Sequence, residues 1–100
     1  MTKIDVNIKD LDQIIFHPKR LLILSLLLAL GDLSQGDLKK RCELTWGELT
    51  AHLKQLEKAT YIKQKHIPTL KGPRRVVSIT MIGIQKYNET LLKLQEFLSN

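Results

Sequence analysis

The sequence predicts an α+β fold, mainly α with one small β-hairpin, from three observations. Apolar residues recur at helical spacing on both sides of a short region where the period becomes strand-like, and that region is split by a Pro/Gly-rich turn. Thr45 and Thr80 each stand where a helix cap is needed, just ahead of an apolar repeat. One hundred residues, 43% of them apolar, give one continuous core and not two, so residues 1–100 are expected to form a single domain.

Residues 8–30 are expected to hold two N-terminal helices. After a loose arm over residues 1–7, Ile8, Leu11, Ile14 and Ile15 fall at helical spacing and suggest a short helix ending near Phe16. His17-Pro18 opens the next helix, with Pro in the first turn, where its missing N–H costs nothing. Leu21 to Leu30 is apolar on every side, which demands burial on every side; in so small a chain a partner subunit would have to cover part of it. Gly31 stops the helix.

Residues 34–59 read as a helix, a tight turn and a second helix. Ser34 follows a short extended piece and caps a helix from about Gln35 to Cys42, with Leu38 and Cys42 inward and Lys39, Lys40 and Arg41 around the rest. Cys42-Glu43-Leu44 is the turn. Thr45-Trp46-Gly47-Glu48 then matches a capping box, and Leu44 and Leu49 flank it at the spacing of a hydrophobic staple. Leu49, Leu53 and Leu56 form the buried stripe of this helix, leaving Gly47, Thr50, Ala51, Lys54 and Lys58 outward. Residues 61–80 hold the hairpin: Tyr61 to Ile67 and Arg75 to Thr80 are strands joined by a basic loop that should project into solvent. Over 81–98, Ile84, Tyr87, Leu91, Leu94 and Leu98 repeat at spacings of three and four, a coiled-coil-like seam.

Charge is distributed unevenly. Sixteen Lys+Arg against ten Asp+Glu leave +6, and residues 39–75 alone carry +7, so the whole excess sits in the middle of the chain. A basic face directed at a polyanion explains such an asymmetry better than general solubilisation. The single Cys permits no internal disulfide, and the longest apolar run is far too short to cross a bilayer, so a cytoplasmic protein without membrane contact is expected. Cys42, His17, His52 and His66 show no metal-ligand spacing, no phosphate loop or nucleophile elbow occurs, and neither enzyme activity, cofactor nor metal is expected.

The element order is that of a winged helix-turn-helix. In it the helix beginning at Thr45 is the candidate recognition helix, its small outer residues able to approach base edges, and the basic loop is the wing. The string Leu44-Thr45-x-Gly47-x-Leu49-x-x-His52-Leu53-x-x-Leu56-Glu57-x-Ala59-x-Tyr61-Ile62, with His17-Pro18-x-Arg20 before it and Gly72 to Arg75, Thr80-x-x-Gly83 and Tyr87 after it, resembles the winged-helix transcriptional regulators related to the MarR and ArsR groups. The resemblance covers roughly residues 11 to 95, departs at Thr60 where Gly is usual, and places Glu48 where a small polar residue is common. It implies a dimeric DNA-binding regulator, paired through its first and last helices, with two recognition helices in successive major grooves.

The candidate DNA-binding residues are therefore Lys39, Lys40, Trp46, Gly47, Thr50, Ala51, Lys54, Lys71, Arg74 and Arg75, and the candidate dimer residues are Leu22, Leu26, Tyr87, Leu91, Leu94 and Leu98. The expected partners are double-stranded DNA and a second copy of the chain, without an evident small-molecule effector. Trp46 either stacks on DNA or packs at a surface edge. Glu48 either caps its helix or accepts a hydrogen bond from cytosine, His52 reads as a satisfied half-buried residue, and Cys42 as a small core residue whose thiol Arg41 could acidify. Two other classes compete with the regulator: a winged-helix protein-interaction module of a larger complex, whose basic face is merely solvated, and an RNA-binding winged helix, which would need more exposed aromatics than Trp46 and Tyr61.

Overall fold

The computed structural model describes residues 11–99. Its elements are α1 (Pro18–Leu30), β1 (Leu33–Ser34), α2 (Gln35–Cys42), α3 (Trp46–Lys58), β2 (Ile62–Ile67), β3 (Arg74–Ile79) and α4 (Met81–Leu98). The class is the expected one, mainly α with a small antiparallel sheet, but the described residues hold four helices where five were expected. The sheet has three strands in the order β1-β3-β2, because the short extended piece before α2 pairs with β3, Leu33 opposite Val77 and Ser34 opposite Val76. A two-residue strand has no periodicity of its own, so only its partner reveals it.

The N-terminal expectation needs correction. Ile8 and its neighbours lie outside the described residues, and Leu11 to Phe16 form turns instead of a helix. Asp12 is the cause: its Oδ1 accepts from the amides of Ile14 at 2.9 Å and Ile15 at 3.2 Å, offering the backbone a local alternative to the helical ladder. The apolar spacing still serves burial, since Leu11 and Ile15 are both in the interior.

Capping chemistry fixes each helix. His17 caps α1, its Nδ1 accepting from the Lys19 amide at 3.2 Å, with Pro18 in the first turn; Gly31 ends the helix at φ +84°. α2 closes with Glu43 in the left-handed region at φ 53°, where the amides of Glu43 and Leu44 reach back to the carbonyls of Lys40 and Lys39. Thr80 caps α4, its Oγ1 accepting from the Gly83 amide at 3.0 Å and donating to the Thr60 carbonyl at 2.7 Å.

The core joins Ile23, Leu24 and Leu27 of α1, Leu38 and Cys42 of α2, Leu49, Leu53 and Leu56 of α3, and Ile62 and Val77 of the sheet. Among the described residues α1 is not fully buried: Leu22, Leu28 and Leu30 stay exposed because α2, α3, α4 and β3 occupy only part of its circumference. On the sheet, residues directly opposite share a face. Ile62 with Ile79, then Gln64 with Val77, then His66 with Arg75 therefore make one face that runs from the core outward to the hairpin tip.

Cys42 is a core residue, as its apolar position suggested. Burial pushes its thiol pKa up and outweighs the opposing charge, which comes from Lys19 and not from Arg41. His52 is half-buried against α1: Arg20 Nε donates to its Nδ1 at 3.3 Å, and its ring lies 4.7 Å from that of His17.

Two predictions come from these local geometries. Thr60 sits at φ 68°, a conformation unfavourable for a β-branched residue. Thr60→Gly should raise stability by about 0.5–1 kcal/mol, the relief of the left-handed backbone exceeding the added flexibility of the unfolded chain; urea unfolding with an unchanged slope and a higher midpoint is the check. Burial, followed by the charges of His17 and Arg20, holds the His52 pKa below its ordinary value of 6.5. The unfolded chain then takes up the proton first on acidification, so this contribution is complete above about pH 6.5 and is lost as pH falls toward the depressed value. Stability measured across pH 7.5 to about 5 should decline, and His52→Gln should flatten the decline.

Candidate nucleic-acid interface

The start of α3 is set by a reciprocal cap. Thr45 Oγ1 accepts from the Glu48 amide at 3.1 Å while Glu48 Oε1 accepts from the Thr45 amide at 2.9 Å. The backbone hydrogen bond with Thr45 is the main reason the Glu48 carboxyl titrates below its usual range. Its carboxylate is thus engaged at the helix start, the capping role that the sequence offered.

With Leu49, Leu53 and Leu56 buried, Gly47, Thr50, Ala51 and Lys54 form an exposed row along the opposite side of α3. Apart from its chain neighbours and the backbone of its own helix, no described atom lies within 4 Å of where a Gly47 Cβ would stand, so this end of the row is open. The small side chains of Gly47, Thr50 and Ala51 let the helix backbone approach a surface closely, where bulky ones would hold it away.

Beside this row lies a cleft of about 410 Å³ lined by Ser34, Gln35, Lys39, Lys40, Trp46, Arg74 and Arg75, among others. α2 contributes the two lysines, the first residue of α3 contributes the indole, and β3 contributes the two arginines. Trp46 is 54% exposed, and Lys39 Nζ stands 5.5 Å from its ring centroid, a cation–π arrangement. Arg75 is steadied by His66, its cross-strand partner, at 3.2 Å. Among the described residues, none of Lys39, Lys40, Arg74 and Arg75 has a carboxylate within ion-pair distance, so their charge is available to an anion.

The structure therefore gathers five of the ten candidate DNA-binding residues, Lys39, Lys40, Trp46, Arg74 and Arg75, into one cleft. Gly47, Thr50, Ala51 and Lys54 lie along α3 and do not line it, and Lys71 is at the exposed tip of the β2–β3 hairpin. Thr69 and Gly72 close that tip with paired backbone hydrogen bonds of 3.2 and 3.0 Å, leaving Leu70 fully exposed between them. Ser34, Gln35 and His66 escaped the sequence reading as site residues. Only the strand register could have brought His66 to Arg75, and Gln35 carries no local signal.

The candidate dimer residues are more dispersed. Leu22, Leu91 and Leu98 are exposed, Leu98 at 78%, whereas Leu26, Leu94 and Tyr87 are half-buried. Leu26 and Tyr87 pack on the core of their own chain, and the Tyr87 hydroxyl shares a hydrogen bond with Ser25, tying α4 to α1. Among the described residues no three His, Cys, Asp or Glu side chains converge as a metal set, and no helix is long and apolar enough to cross a membrane.

Comparison with solved structures places this architecture among transcriptional regulators. The transcriptional regulator homologue from Pyrococcus horikoshii OT3 is similar over 88% of this chain and 87% of its own, with 28% identity and a TM-score of 0.82. YusO from Bacillus subtilis shares 24% identity over 82% of this chain at a TM-score of 0.73. NadR, solved in complex with 4-hydroxyphenylacetate, shares 25% over 87% at a TM-score of 0.71. The matched region spans 57% of the YusO chain and 61% of the NadR chain. A comparison with curated proteins found no match. Residues 19–98 match the family described as the winged helix DNA-binding domain. With its helices, cap, wing and MarR-like structural neighbours in agreement, this chain belongs to the winged helix DNA-binding domain family.

Proposed function

We propose that the chain is a sequence-specific regulator of transcription that binds double-stranded DNA as a homodimer, with α3 in the major groove and the β2–β3 wing on the phosphate backbone. The observation that carries this reading is the exposed row Gly47, Thr50, Ala51 and Lys54 on α3, bordered by a cleft of cations that face no carboxylate among the described residues. In the proposed complex the row meets base edges, where a Thr hydroxyl bonds to either kind of groove partner and its methyl meets thymine. Lys54 bonds to guanine or phosphate. Lys39, Lys40, Lys71, Arg74 and Arg75 meet phosphates and supply affinity with little sequence preference. The function is binding and not catalysis.

The homodimer reading is supported by exposed apolar surface: Leu22 of α1 with Leu91 and Leu98 of α4 offers side chains that the described residues cover only in part. A second copy would bury them by symmetry and set two α3 helices at a fixed spacing. The reading includes no small-molecule effector, although NadR was solved in complex with 4-hydroxyphenylacetate.

Two measurements test it. After selection of a preferred duplex from a random pool, Thr50→Ala should reduce discrimination against random duplex by about 1–3 kcal/mol with an unchanged circular dichroism spectrum. Equal loss on both duplexes would show that α3 does not read bases. Sedimentation equilibrium at micromolar concentration should give twice the chain mass, and Leu94→Asp should shift it toward one; a monomeric parent chain would end the two-helix arrangement.

A further inference from the structure

The wing and the recognition helix are separate elements, yet both must meet the same duplex, so the angle between them has to be fixed. Gln64 stands between the wing strand and both helices of the helix-turn-helix. It lies in β2 opposite Val77, whose other neighbour across the sheet is Leu33, so its side chain shares the inward face with two apolar residues. Core packing would favour a Leu or Val there, and the chain has an amide.

The amide is used at both ends. Gln35 Nε2, in the first turn of α2, donates to Gln64 Oε1 at 2.5 Å. Gln64 Nε2 donates to Glu57 Oε1, in the last turn of α3, at 3.3 Å. One side chain of the wing strand is thereby held by both helices of the helix-turn-helix. Gln35 also lines the basic cleft. Outward from Gln64 on the same face, the next row is His66 and Arg75, one pair short of the hairpin tip.

We propose that the Gln35–Gln64–Glu57 relay fixes the wing at the angle to α3 that DNA requires, with Gln64 as the positioning residue. The inference rests on the DNA-binding reading above and adds to it the means by which wing and helix are held together. Gln64 and Glu57 do not line the basic cleft, so in this reading Gln64 acts on DNA indirectly. It acts through Arg74 and Arg75, which reach phosphates together only when the hairpin stands at the right inclination to α3.

The test is the salt dependence of binding to the selected duplex, measured with the full chain. The double variant Arg74→Ala/Arg75→Ala should make the slope of log K against log salt shallower by about two units, one for each phosphate that is no longer neutralised. Gln64→Leu keeps the strand and the inward face apolar, so its thermal midpoint should match or exceed the parent value. It should nevertheless weaken binding about tenfold, the scale of removing one or two hydrogen bonds, and show a shallower salt slope. Adding Gln64→Leu to the arginine variant should change the slope no further, since the phosphate interactions that the relay governs are already absent.

A second variant pair guards against a packing effect. Gln64→Glu sets a like charge against Glu57 and should reproduce the loss; Gln64→Glu/Glu57→Gln restores a donor facing an acceptor and should recover affinity and slope. If the arginine variant flattens the slope while Gln64→Leu and Gln64→Glu keep the parent slope, the relay is overturned and the wing's role on the backbone stands. If the arginine variant itself keeps the parent slope, the wing does not touch the backbone and the relay falls with it.

Discussion

The fold turns on the contact between Gly83 and the Tyr61 carbonyl. A Cβ at position 83 would stand 2.2 Å from that oxygen, so α4 can start where it does only because the residue there has no side chain. The same carbonyl accepts from the Thr80 amide at 3.0 Å, and Thr80 Oγ1 bridges the Thr60 carbonyl and the Gly83 amide. The end of α3, the start of β2, the end of β3 and the start of α4 are thus pinned at one point. Tyr61 extends the junction to the N-terminal segment, its hydroxyl donating to Asp12. Burial first, and then Asp12, pushes the phenol pKa up to about 12, so it keeps its proton and remains a donor at neutral pH.

How much of this the sequence revealed depended on how local the controlling interaction is. The start of α3 was legible because a capping box is written within four residues, and the structure has both of its hydrogen bonds. The hairpin and the α4 cap were legible for the same reason. Residues 11–16 misled because a single Asp side chain competes with the helical backbone, and the apolar spacing does not register that competition. The third strand, the Trp46 environment and the grouping of α2 lysines with β3 arginines are products of pairing between distant segments. The charge count announced a basic face, but only the β1-β3-β2 order puts Arg74 and Arg75 beside Lys39 and Lys40.

The Thr60 turn illustrates a different kind of information. The sequence resemblance marked Thr60 as a departure at a place expected to hold Gly, and the backbone there does take a positive φ. A local cost is accepted at a site held by Thr80, whose hydroxyl donates to the Thr60 carbonyl. The junction over-determines the turn, which is the condition under which strained backbone persists.

One face of the sheet passes from Ile62 and Ile79, through Gln64 and Val77, to His66 and Arg75. It is the wall of the core at one end and a cation-bearing arm at the other, so the arm is a cantilever with its root in the hydrophobic interior. Its reach is quantised. Side chains alternate faces along a strand, so lengthening each strand by one residue would turn the outer cations to the opposite side, whereas two residues in each would carry them about 7 Å further with their orientation kept. The root would not change in either case. Hairpin length in such a domain is therefore free to drift only in even steps, and each step selects how far from the recognition helix the arm can touch.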